Sequence, residues 1–362
     1  MTVHASVSLI QLLSAILIAF TVLMYAILDG ADLGVGTLII LVAAGEDREI
    51  MINSILPVWD GNETWLVLAG GALIAMFPLA YSSLLTARYP VLIVMLFCLI
   101  CRGVALEFRA SARPKVQQLW DRVLFLASVI AGFCQGISFG AIVHGTRVSP
   151  NGYAGGRWDW LSWFSIGWGV VVVCVYGLLA TAWLFWRTEG ALQRYAQRLA
   201  PRYGIAALLL LLGLAFWTSR IVHGYARMPE LWIMGVLREA ACVAFGLAVL
   251  WFIYSWKRRY AMAPLVAVIG WIIASCVVLS SSLYPYIAPP TLSISAAASP
   301  LSTQLFVLKG CAFLIPAIFA YSTDSFWVFR GKVRSKVATD TPDGVRIVCA
   351  KNDRAQPMNQ QR

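Results

Sequence analysis

Histidine is nearly missing from this chain. There are three in 362 residues, namely His4, His144 and His223, and each lies at the edge of an apolar stretch. A haem clamped between two helices needs a pair of strong axial ligands at depth. The scarcity therefore argues against a haem ligated wholly by this chain, and methionines such as Met95 read as packing side chains. Paired histidines for copper are missing too. Charge is also scarce, at 12% of residues against 60% hydrophobic ones, with a mean hydropathy of +0.76, which excludes an ordinary soluble globular domain. No glycine-rich phosphate loop or nucleotide-binding fingerprint occurs, which speaks against ATP-driven transport by this chain alone. The apolar runs lack the period-two alternation of lipid-facing strands, so a β-barrel is excluded.

What remains is an all-α polytopic membrane protein. A bilayer core of roughly 30 Å takes about 20 mainly apolar residues per helix. Nine windows qualify, near 8–28 (with the apolar character running on to 42), 57–80, 84–105, 123–145, 160–186, 203–223, 239–256, 262–285 and 303–329. The net charge of +11 would suggest nucleic acid in a soluble protein, but the basic residues fall between the windows. Arg109, Arg113, Lys115 and Arg122 follow the third. Arg187, Arg194, Arg198 and Arg202 follow the fifth, Lys257, Arg258 and Arg259 the seventh, and Arg330, Lys332, Arg334 and Lys336 the ninth. The opposite loops are poorer, holding Arg88, Arg147, Arg157, Arg220 and Arg227. By the positive-inside rule the odd-numbered exits are cytoplasmic, which predicts an external N-terminus and a cytoplasmic C-terminus. The start "MTVHASVSLIQ" has no basic n-region and no small-residue cleavage site follows, so the first helix is expected to be retained.

Between and beyond the windows the chain offers little machinery. Residues 330–362 are polar and basic without apolar periodicity and read as a mobile cytoplasmic tail. The loop 286–300, "YIAPPTLSISAAASP", carries no charge. Seven of the eight cysteines lie in apolar windows and Cys349 lies in the tail, so no disulfide framework is implied. The C-x-x-C spacing of Cys98 and Cys101 on an apolar helix reads as packing. Gly132, Gly136 and Gly140 recur every four residues and give one helix a smooth face for a close neighbour.

Against this background the acids stand out. "ILDGADLGVGTLIILVA" (27–43) places Asp29 and Asp32 three apart on one helical face, with Gly30 and Gly34 beside them. A carboxylate at a helix centre costs roughly 2.5–3.5 kcal/mol on the insertion scale, so these acids must face protein or water. "LPVWDGNETWLVLAGG" (56–71) repeats the theme with Asp60, Asn62, Glu63 and Thr64, and Pro57 suits a helix's first turn. "CRGVALEFR" ends the third window with Arg102, Glu107 and Arg109. The alternating topology brings Asp29, Asp32, Asp60, Glu63, Arg102 and Glu107 into the inner half, where Arg102 is the natural counter-ion. Such a cluster reads either as a structural ion-pair knot or as a proton path or quinone-headgroup site.

At "LDGADLGVG", "MINSILPVWDGNETWLV", "CRGVALEFR" and "SSLYPYIAPPTLSI" the sequence resembles subunit II of cytochrome bd-type quinol oxidases, over essentially residues 5–330, and "GNETWLV" resembles the cyanide-insensitive branch. The resemblance implies a bacterial cytoplasmic-membrane subunit that binds no haem itself. It pairs with a haem-bearing subunit I holding two b-type haems and one d-type haem, and small single-helix subunits are further candidate partners. The complex reduces O₂ to water with electrons from quinol, taking its protons from the cytoplasm. The implied fold is two four-helix bundles, 57–186 and 203–329, plus a first helix within 1–56. The residue matching the family's proton-entry acid is Asp60, with Glu63 as a relay. Asp29 and Arg102 match residues beside a structural quinone in some members and read otherwise as an ion-pair site, Trp59 is a further candidate cofactor-binding residue, and Asp32, Asn62, Glu107 and Arg109 are read as a structural polar cluster. Membrane lipid is an expected partner and nucleic acid is not. Two rival readings stay open: a secondary transporter using acids in helices broken at glycines, and a purely structural membrane scaffold.

Overall fold

A computed structural model describes residues 7–149, 152–225, 232–328, 331–332, 338–341 and 344–347. The helices are α1 (Leu9–Leu38), α2 (Glu46–Ile55), α3 (Trp59–Met76), α4 (Pro78–Ser111), α5 (Pro114–His144), α6 (Trp163–Arg187), α7 (Gly190–Tyr225), α8 (Trp232–Arg258), α9 (Ala263–Leu283), α10 (Ile294–Ala297) and α11 (Leu301–Val328). Among the described residues, eight helices are long and apolar enough to cross a membrane. The remaining long helix, α3, has 18 residues and spends its first two turns on Asp60, Asn62, Glu63 and Thr64.

The first helix answers the question of where the acidic stretch belongs. Ser8 and Gln11 form a reciprocal cap at its start, with Ser8 N–H donating to Gln11 Oε1 (3.0 Å) and Gln11 N–H to Ser8 Oγ (3.3 Å). From there α1 runs unbroken through both aspartates, and every residue from Asp29 to Leu38 is buried. A helix buried on all sides sits inside a bundle. The second half of α1 is thus inside the bundle, and the helix packs against α3, α5 and α6 and touches α9 and α11.

Glycine makes that position accessible. A Cβ on Gly34 would fall 2.0 Å from the carbonyl oxygen of Tyr176 on α6, and one on Gly36 would fall 2.1 Å from Ser128 Oγ on α5. The Gly136 and Gly140 repeat does the same for the α5–α6 pair. Added Cβ atoms there would meet the Trp168 carbonyl at 2.3 Å and Ser165 Cα at 2.6 Å, so these glycines serve close helix approach.

One boundary differs from the sequence reading. Arg88 was expected in a loop between the second and third windows, but α4 begins at Pro78 and continues through Pro90 to Ser111. Proline fits the first helical turn, and the following residues sustain the helix, so Arg88 lies within it at 4% exposure.

Two connections interlock at the end where α5 finishes and α11 begins. The short hairpins β1 (Val148–Ser149) with β2 (Gly152–Tyr153) and β3 (Tyr286–Ala288) with β4 (Leu292–Ser293) lie there. Thr146 N–H donates to the Pro289 carbonyl (2.6 Å), Thr291 Oγ1 donates to the Thr146 carbonyl (3.0 Å), and Val148 N–H donates to Thr291 Oγ1 (3.1 Å). The uncharged loop 286–300 is thus a latch. Nearby, Ser14 Oγ donates to Gln304 Oε1 (2.9 Å), joining α1 to α11.

In the basic tail β5 (Ala338–Thr341) pairs antiparallel with β6 (Gly344–Ile347). His4, Arg227, Arg330, Arg334, Lys336 and Cys349, and the side chain of His223, lie outside the described residues.

Candidate functional site

Three helices each supply part of one buried polar cluster. Helix α1 presents Asp29 and Asp32 one turn apart, α3 presents Asn62 and Glu63 from its first turns, and α4 presents Arg102. Arg102 is 1% exposed. Its Nη1 donates to Asp29 Oδ1 at 2.6 Å, and its Nη2 donates to Glu63 Oε1 in a second close contact. Asn62 Nδ2 donates to Asp32 Oδ2 at 2.7 Å. Three carboxyl groups therefore surround one guanidinium. Asp29 and Asp32 are sealed, whereas Glu63 keeps 30% of its side-chain exposure and carries the cluster to the surface.

The neighbouring glycine shapes this site. A Cβ on Gly103 would lie 3.2 Å from the ring of Trp59, so the glycine after Arg102 lets the half-buried indole lie against α4. Among the described residues, Asp29 Oδ2 and Arg102 Nε are buried with no hydrogen-bond partner at normal distance. One is an acceptor and the other a donor.

A second polar chain leads into the cluster and was not read from the sequence. Tyr176 Oη donates to Gln135 Oε1 (2.6 Å), and Gln135 Nε2 donates to Tyr25 Oη (2.7 Å). All three residues are buried, and Tyr25 stands one turn before Asp29 on α1. The available signal was the Tyr25/Asp29 spacing of four, together with the one amide in "GFCQGISFG", where the glycine repeat drew attention instead.

The other expected site residues go elsewhere. Asp60 is exposed at the start of α3. Glu107 does not join the cluster. Five residues from Arg102, it points roughly 140° away around the helix and is exposed. Arg109 shares the face of Arg102 but lies two turns, about 10 Å, farther along. Its Nε donates to Asp121 Oδ1 (2.6 Å), and Arg48 Nη1 donates to Asp121 Oδ2 (3.0 Å). Arg48, Arg109 and Asp121 thus form a separate ion-pair group joining α2, α4 and α5, in which Arg48 and Asp121 were unforeseen. Among the described residues, no group of three or more His, Cys, Asp or Glu side chains is arranged to hold a metal ion.

Comparison with known proteins agrees with this architecture. The family described as cytochrome bd terminal oxidase subunit II matches residues 10–329. Relatives include the cytochrome bd-I ubiquinol oxidase subunit 2 of Escherichia coli K12, 26% identical over 88% of this chain and 93% of that one. Another is the cytochrome bd ubiquinol oxidase subunit 2 of Bacillus subtilis, 28% identical over 89% of this chain and 96% of that one. The solved bd oxidase of Geobacillus thermodenitrificans contains a chain of the same fold, with a TM-score of 0.70 at 16% identity, covering 90% of this chain and all of that one.

Proposed function

Because this chain belongs to the cytochrome bd terminal oxidase subunit II family, we propose that it is the non-haem subunit of a quinol:oxygen oxidoreductase of the bacterial cytoplasmic membrane. Electrons pass from quinol to oxygen through two b-type haems and one d-type haem in subunit I. This chain steadies that subunit and helps bring protons to it from the cytoplasm. The observation that carries the reading is the sharing of Arg102 between sealed Asp29 and surface-reaching Glu63.

Oxygen reduction to water consumes one proton for each electron, so the enzyme needs a proton entry as well as a quinol site. Three carboxyls around one guanidinium cannot all be ionised cheaply in a low dielectric, which suits a cluster that takes and releases protons. Asp60, exposed at the start of α3, is the entry acid, and Glu63, one turn on, relays to the cluster. Asp32, held by Asn62, borders the same path.

The same residues fit a structural quinone. Arg102 Nε offers a donor for a quinone carbonyl, Asp29 Oδ2 offers an acceptor, and Trp59 offers a ring face beside them. Such a quinone would supply packing and redox-competent carbonyls.

We further propose nine crossings, with α3 as the ninth, an external N-terminus and a cytoplasmic C-terminus. Helices α3 to α6 form one four-helix group around α1, and α7 to α9 with α11 form the other. Small single-helix subunits and lipid cover the remaining outer faces. A transporter would call for helices broken at the glycines, and α1 is continuous through Gly30 and Gly34. The test is co-purification followed by visible spectroscopy. The complex should show b- and d-type haem bands and the isolated chain none, and a stoichiometric haem band in the isolated chain would overturn the assignment.

A further inference from the structure

Where α1 ends, the chain turns through Ile39–Leu41, and a groove of about 320 Å³ opens between this turn and the start of α7. Its apolar lining includes Leu41 and Val42 after α1 and Leu192 on α7. Its charged lining includes Arg194 and Arg198, four residues apart and therefore on one face of α7. Both arginines are exposed and make no hydrogen bond or ion pair among the described residues. Tyr195 also lines the groove, its hydroxyl donating to the Leu41 carbonyl at 2.8 Å.

The charge balance of the groove is specific. Asp47 also lines the groove, so two arginines against one aspartate leave one positive charge. The first turn of α7 adds to it, because a helix start has free N–H groups and a partial positive charge. No acidic side chain stands in that turn. The depth is equally telling. One apolar span finishes at Leu41, and α7 carries Arg194, Arg198 and Arg202 before its apolar stretch near 203–223, so the groove lies where both helices leave their apolar segments. Ile40 and Leu41, exposed by 37% and 47%, add apolar surface beside the groove at the end of the α1 span.

We propose that this groove is a binding site for an anionic phospholipid. The phosphodiester sits on Arg194, Arg198 and the first turn of α7, and an acyl chain follows Ile40 and Leu41. A singly charged phosphodiester matches the groove's net charge, and the paired cationic and apolar linings match an amphiphile. A free phosphate would leave the apolar lining unused.

The test uses the purified oxidase complex in nanodiscs containing phosphatidylglycerol and phosphatidylcholine, with bound lipid counted by native mass spectrometry after transfer to detergent. Phosphatidylglycerol should be retained selectively. The double variant Arg194→Gln/Arg198→Gln should hold it about 30-fold more weakly, with unchanged haem content, while Arg157→Gln should match the parent. Equal retention by parent and double variant, or displacement by excess inorganic phosphate, would overturn the proposal. If the double variant assembles poorly, competition on the parent decides: retention of phosphatidylcholine or phosphatidylethanolamine as strong as that of phosphatidylglycerol also overturns it.

Discussion

Arg102 and Asp29 meet at 2.6 Å with side chains that are 1% and 0% exposed, so each is the charge partner that lets the other stay out of water. Removing one member of such a pair strands the other at a cost of about 3–5 kcal/mol. Arg102→Ala should therefore cut the yield of haem-containing complex sharply, whereas Arg147→Ala, at an exposed arginine, should not. Equal yields would show that the pairing does not support assembly.

Asp60→Asn keeps the shape of the side chain and removes its titratable proton. Haem content should be normal, electron entry from quinol should stay fast in a single turnover, and steady-state oxygen consumption should fall. A purely structural acid gives the reverse pattern, with lost complex and normal activity per assembled enzyme. Full yield with unchanged turnover across the pH range 6–9 would remove Asp60 from the proton route.

Gly34→Ala places a methyl group 2.0 Å from the Tyr176 carbonyl oxygen, a backbone atom that cannot swing away. Complex yield should collapse. Gly70→Ala meets nothing within 4 Å and gains the helix preference of alanine, about 1 kcal/mol, so its thermal midpoint should equal or exceed the parent's.

Arg88 is buried, makes no hydrogen bond or ion pair among the described residues, and leaves Nη1 without a partner. Replacing a buried charge by an apolar side chain of similar length is often neutral or stabilising. Arg88→Met should melt at the same temperature as the parent or higher. A marked drop would reveal a partner for Arg88 contributed by subunit I or by lipid.

Topology has its own check. A reporter active only outside the membrane should stay silent when fused at residue 340, and one that requires the cytoplasm should work there.

The sequence displayed the helices well because each long apolar run left few alternatives, and it displayed Arg102 as counter-ion because one deep cation faced several acids. It hid whatever depended on rotation or depth along a helix. Glu107 and Arg109 look like neighbours of Arg102 in "CRGVALEFR", yet five residues turn one of them outward and seven carry the other two turns away to Asp121. Arg88 and Pro90 mimic a loop because an arginine and a proline are common loop signals, and only the packing of α4 shows that the helix continues. Tyr25, Gln135 and Tyr176 come from three separate helices, and no local spacing joins them.

The hydrogen bond between Ser14 and Gln304 spans 290 positions of chain. Helix α1 is therefore tied to α11, and the Met76 carbonyl likewise accepts from the Ser299 amide at 2.9 Å. A chain without α11 would lack Gln304, so the burial of Ser14 is completed only by a helix from the opposite end of the described chain, and the packing of this bundle follows contact order in space rather than order in sequence.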